Sequence, residues 1–306
     1  MTCSHVQTAF GRRQALAPLV VTLLLTAPTA LAVTGHYVPG VEGVKGASVP
    51  PAGTYYRGYA VHYDIEQLND DNGQALPDSN TGSVTALANR VIHITDKQFL
   101  NADYGFETII PVQRTSLDFE RLGVNSTETE IGDVFIGPVV LGWHGQQWDA
   151  VFASGVWFDT GSTAEPASAG KGYKSVMTTL GGTYHMDAAK TWSFSALSRY
   201  EINFDDDNGV DRGDSFLVEW GLGKRLSNGL ELGLVGYDGW QLDENTGGDL
   251  APGQDQVKVE KHALGLEVGY FWPSLGFGLN GAYLNEYQAD NSTEGDLYRL
   301  TLTKIF

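Results

Sequence analysis

The sequence predicts an all-β fold, a transmembrane antiparallel up-and-down β-barrel of about twelve strands. Three observations point there. Apolar and polar residues alternate with period two over stretches longer than an ordinary strand. The connections between these stretches alternate between long and short. The chain also opens on an export signal, yet has no later run of 18 apolar residues that could form a spanning helix.

The first element is that signal, residues 1–32. Arg12 and Arg13 give a positive start, Ala15 through Ala27 a short apolar run, and Ala30-Leu31-Ala32 the small residues of a cleavage site. Cys3 lies inside the leader, so the exported part has no thiol and no disulfide. Residues 1–32 carry two arginines and no acid. The remainder therefore has 17 basic against 37 acidic residues, a net charge of −20. That sign disfavours nucleic acid as a partner. It suits a cell-surface protein that meets lipopolysaccharide through divalent cations, although solubility alone would also explain it.

Residues 33–52 contain Pro39, Pro50 and Pro51 among several glycines and cannot join a strand ladder. Two placements are open: a periplasmic tail, or a segment that enters the barrel mouth and narrows it. The barrel occupies residues 53–306. Its expected strands are 53–65, 83–96, 103–120, 129–144, 147–159, 174–187, 191–204, 214–226, 230–242, 257–272, 275–288 and 295–306. The pattern is clearest from Trp192 to Phe204. There Trp192, Phe194, Ala196, Ser198, Tyr200, Ile202 and Phe204 fall on one face, and Ser193, Ser195, Leu197, Arg199, Glu201 and Asn203 on the other. Aromatics at both ends of an apolar face suit the two interfaces of a bilayer.

The connections 66–82, 121–128, 160–173, 205–213, 243–256 and 289–294 are long and polar; those between them are short. Long external loops and short periplasmic turns characterise bacterial outer-membrane barrels, which places this chain in the cell outer membrane of a Gram-negative bacterium. In hydrocarbon every backbone amide must find a partner, so a spanning sheet must close.

The residues resemble the outer-membrane family named for the MetA pathway of phenol degradation. The match begins at His36-Tyr37-Val38-Pro39-Gly40 and Pro50-Pro51-Ala52-Gly53-Thr54-Tyr55-Tyr56. It continues through Gly132-Asp133, Pro138, Leu141 and Trp143, then Thr183-Tyr184-His185-Met186-Asp187 and Arg199-Tyr200-Glu201-Ile202-Asn203. Gly236-Tyr237, Gln241, Glu286, Gly295 and Lys304-Ile305-Phe306 complete it. The resemblance implies a barrel linked to aromatic or other hydrophobic compounds. It transfers no catalytic residues, and no cofactor is implied. The terminal Phe306 matches the aromatic end that the barrel-assembly machinery reads.

If the apolar faces meet lipid, the opposite faces line the lumen with Arg199, Glu201, Glu219, Arg225, Glu231, Glu267, Glu286 and Arg299. These charges either brace a small barrel through ion pairs or line a selective passage. Asp205 through Asp211 partly resembles a calcium loop, but Phe216 stands where the closing glutamate belongs, so a solvated external loop is expected. The histidines show no metal-ligand spacing. The expected function is passive passage of a small organic molecule. The rival readings are a purely structural barrel, or an outer-membrane lipase or esterase using Ser154 and His144. The esterase lacks an identifiable third group, so no enzyme is expected.

Overall fold

The structure is a computed structural model and describes residues 35–248, 250 and 257–306. The expected leader, its cleavage point after Ala32, Cys3, and part of the expected 243–256 connection, with its acidic residues Asp249 and Asp255, lie outside the described residues.

Among the described residues fifteen strands follow one another: β1 (Gly53–Leu68), β2 (Asn80–Phe99), β3 (Ala102–Phe119), β4 (Val124–Ile131), β5 (Val134–His144), β6 (Trp148–Phe158), β7 (Ser175–His185), β8 (Trp192–Asn203), β9 (Val210–Asp211), β10 (Ser215–Arg225), β11 (Leu230–Gln241), β12 (Thr246–Gly247), β13 (Glu260–Trp272), β14 (Phe277–Asp290) and β15 (Thr293–Ile305). Each long strand pairs antiparallel with its neighbours, and β1 pairs with both β2 and β15, which closes the cylinder. β4 and β5 both pair with β3 and make one stave, interrupted at Gly132 and Asp133. β9 and β12 pair only with each other, within the outer connections. The barrel therefore has twelve staves.

Two expected loops prove to be ladder. The connection 121–128 shrinks to a 3-10 turn, Glu120–Leu122, closed by Gly123 at φ 65°, and β4 begins at Val124. The connection 289–294 shrinks to Asn291 and Ser292, with Asn291 at φ 51°. Long and short connections therefore do not alternate at these two hairpins. Polarity marked both stretches as loop, but a ladder rising above the bilayer needs no apolar face. Asn125, Thr127 and Thr129 on β4 are accordingly exposed.

The alternation sorts side chains as expected on the outer face. Leu264, Leu266 and Val268 of β13 are exposed, while the intervening Gly265 and Glu267 are buried. Such a contiguous apolar exterior is unsuited to water and suited to lipid. The interior departs from a purely hydrophilic expectation. Val84, Ile109, Leu117, Phe135, Trp157, Leu217 and Leu297 point inward and join one buried cluster, and Ala47, Val49, Ile92, Val140 and Leu197 join another. Inward apolar residues are tolerated because the lumen is not left to water: residues 35–51 of the same chain pack inside it.

Candidate lumen site

The internal segment is positioned by a seat of glycines. An added Cβ at Gly223 or Gly233 would collide with Val44 and one at Gly142 with Val49, while one at Gly221 would press on the Val44 backbone and one at Gly181 on Ala47. Only a wall without side chains allows a second backbone to lie so close. Gly40, at φ 80°, turns the segment against the Tyr237 ring.

From its outer end the segment is tied by charge. The amides of His36 and Tyr37 donate to the two Glu201 carboxylate oxygens at 2.8 and 2.9 Å. The Tyr37 hydroxyl donates to Glu219 at 3.0 Å, and the Arg199 guanidinium, ion-paired with Glu219, lies 3.6 Å from the centre of the Tyr37 ring. Arg299 donates to the Gly40 carbonyl at 2.9 Å and pairs with Glu267, which lies against Gly43. Glu42 is the pivot. Its carboxylate accepts from Arg57 at 2.8 Å, Arg90 at 2.6 Å and Tyr59 at 2.9 Å. Burial would raise its pKa, but the Arg57 and Arg90 guanidinium groups outweigh that and hold it at about 2. Toward the periplasm Lys45 pairs with Glu231, and the Ser48 hydroxyl donates to Asp149 at 2.9 Å.

Six of the eight sequence-predicted lumen residues, Arg199, Glu201, Glu219, Glu231, Glu267 and Arg299, thus engage the segment or its immediate partners. Glu286 sits elsewhere, bonded to Lys261 at 3.0 Å, to the Tyr63 hydroxyl at 2.6 Å and to Tyr237. Arg225 is exposed at the periplasmic rim and donates to the Ala189 carbonyl at 3.1 Å. Sequence reasoning noted His36 only within the family motif and did not single out Glu42, Arg57, Arg90 or Lys261. The parity of β1, which sets Arg57 in line with the inward Tyr55, Tyr59 and Tyr63, was the signal available for one of them.

Above the segment lies a cavity of about 670 Å³. Tyr37, Val38, Val41 and Glu42 form its floor. Val84, Ala88, Ile109, Leu117 and Trp157 give it an apolar wall, and Lys171, Asp206 and Arg212 of the outer connections stand at its mouth. None of the eight predicted lumen residues lines it.

The candidate esterase pair is not brought together. Ser154 is opposite Val139 and His144 opposite Asp149, five residues apart along the ladder, or about 17 Å. The His144 Nδ1 meets Asp149 at 2.9 Å instead. Asp206 in the acidic run accepts from the amides of Asn208 and Val210 and from Arg212, so it caps its own turn. Among the described residues no three His, Cys, Asp or Glu side chains are placed to hold a metal ion.

A closed cylinder with a lipid-compatible exterior and part of its own chain in the lumen is an outer-membrane β-barrel. The chain belongs to the family described as "Putative MetA-pathway of phenol degradation", which matches residues 66–302. The match begins within β1, so the internal segment precedes it. Among solved structures, the COG4313 outer membrane channel from Pseudomonas putida F1 is similar at a TM-score of 0.76 and 13% identity, covering 87% of this chain and 100% of that one. The translocator domain of the autotransporter NalP from Neisseria meningitidis follows at 0.50 and 12%, covering 85% and 91%. At such identities both show a shared fold and nothing finer. No curated protein matches the chain in sequence.

Proposed function

We propose that this barrel is a channel for the passive passage of small organic molecules of apolar or aromatic character across the outer membrane. The observation that carries this reading is the cavity. A space of about 670 Å³ is of the size that organic ligands occupy, and its wall of Val84, Ala88, Ile109, Leu117 and Trp157 would take apolar surface out of water. A barrel serving only as a brace would gain stability by filling that space. The family name and the channel fold support the same reading. Catalysis forms no part of it, since the two groups an esterase would use lie apart on the ladder. Two partner assignments belong to the proposal as well. The barrel-assembly machinery reads the exposed Phe306, and the acidic outer surface meets lipopolysaccharide.

The test is solute flux into liposomes carrying the purified protein, with an Ala88→Trp variant that fills the cavity. Uptake of a neutral aromatic solute should fall severalfold in the variant while uptake by thermal leak stays the same. Absence of flux for every small solute with the native chain would support the bracing reading instead.

A further inference from the structure

Beside the amide contacts to Glu201, the outer end of the internal segment carries one buried imidazole, and its hydrogen bonds fix that ring's protonation. His36 Nε2 lies 3.0 Å from the Tyr173 carbonyl, which can only accept, so Nε2 carries a proton. His36 Nδ1 lies 3.0 Å from Ser175 Oγ. The single Ser175 proton goes to Glu201 Oε2 at 2.9 Å, so toward the ring Ser175 can only accept. If Ser175 donated to Nδ1 instead, two bare oxygens would face each other at the Glu201 contact, in a site where all these groups are buried. With Glu201 ionised, satisfying every partner requires a proton on both ring nitrogens.

Carboxylates surround the ring as an imidazolium needs. Asp133, at the β4–β5 junction, lies 3.4 Å from Nε2, and Glu201 of β8 lies 3.5 Å from Nδ1. Trp157 of β6 stacks on the ring at 5.6 Å and 8°, and the Tyr173 ring meets it edge-on at 4.9 Å. Lys171 is the opposing cation, from the same outer connection as Tyr173. The Asp133 carboxylate also accepts from the amides of Gly161 and Lys171, each at 2.8 Å, and so folds the 159–174 connection over the same point. His36, Asp133, Trp157, Lys171 and Tyr173 all border the cavity.

We infer that His36 is a proton-dependent clamp: its imidazolium ties the tip of the internal segment to Glu201 and to the outer 159–174 connection, and loss of one proton as external pH rises frees the tip and reshapes the cavity. This rests on the channel reading only for its consequence in flux. Burial alone would make the ring less basic, but Asp133 and Glu201 outweigh burial and hold its pKa above the usual 6.5. The clamp's contribution is therefore complete below about 6.5 and is lost as pH rises through the higher folded value.

The test follows amide exchange at residues 36–38 and the imidazole nitrogen resonances of the native chain in liposomes, from about pH 5 to about pH 9. Both nitrogens should be protonated at the acid end. As one proton leaves, protection at the tip should fall severalfold beyond the change at barrel-strand amides. His36→Gln should show the loosened tip at every pH. An imidazole that is neutral throughout would overturn the proposal, as would tip protection that ignores its titration. The imidazole resonances need no variant, so a His36→Gln chain that does not fold leaves the proposal testable. Aromatic-solute flux separates the two claims. A titrating clamp without flux sinks the channel reading alone, and flux with an invariant tip sinks the clamp alone.

Discussion

At the scale of single residues, Glu42 shows why charges in this lumen are paired rather than free. An ionised carboxylate away from water is costly unless donors replace its hydration, and Arg57, Arg90 and Tyr59 do so together. Glu42→Gln would leave two guanidinium groups facing a neutral amide. Breaking a buried pair costs about 3–5 kcal/mol, and Arg90 retains Glu107 at 2.5 Å, which places the loss toward the lower value. The pH dependence has a definite sign. With its pKa lowered from 4.5 to about 2, Glu42 stabilises the fold fully above about pH 4.5, and that share disappears as pH falls through about 2. Thermal unfolding in detergent should show a lower Tm for the variant near neutral pH and a flatter acid limb below pH 4.5 than the native chain shows. Equal acid limbs would mean that Glu42 is not the group responsible. Of these residues, sequence parity could place Arg57 on the inner face. It could not show that Glu42, from an irregular segment, meets it there.

Among elements, the seat on β10 and β11 explains a composition that strand propensity does not. Glycine weakens a strand, yet Gly221 and Gly223 sit in the middle of β10 on its inward face, and Gly233 lies directly opposite Gly223. They are there because Val44 occupies the space a side chain would fill. Gly223→Val should cost about 1–3 kcal/mol through overpacking and lift the segment from the wall. Gly182→Ala is the control. It points outward, and its nearest contact is the Asp149 carbonyl at 3.4 Å, so it should leave stability nearly unchanged. The temperature at which the barrel unfolds on a denaturing gel measures both. Comparable losses would refute a seat specific to the inner face. The inward glycines of β10 were visible in the sequence as a row opposite the apolar face, but a row of glycines does not say what approaches it. The hairpins at Gly123 and Asn291 failed for a related reason: polar alternation in water and polar loop look alike, and only pairing separates them.

For the whole molecule, the β1–β15 register closes the ladder without help from residues 35–51. Deleting residues 35–51 should therefore leave a β-sheet circular-dichroism spectrum intact while conductance in planar bilayers rises severalfold, because the periplasmic half is otherwise filled by Ala47 and Val49 against Val140, Val151 and Leu197. Unchanged conductance would show that the segment is not what narrows the lumen. The cluster of Lys261, Glu286, Tyr63 and Tyr237 touches the segment where Gly40 meets the Tyr237 ring, but its own bonds run between strands, so it should survive the deletion and hold the outer end of the barrel together.

The sequence by itself determined the class of fold, the strand parity and the family resemblance, because these depend on residues one or two positions apart and on the demand that lipid makes of an outer face. The tertiary structure alone decided what fills the inside. Two placements of residues 33–52 were equally compatible with proline and glycine content. The choice between them rests on contacts such as His36 with Glu201 and Val44 with Gly223, whose members lie more than 160 residues apart and meet only once the cylinder has closed.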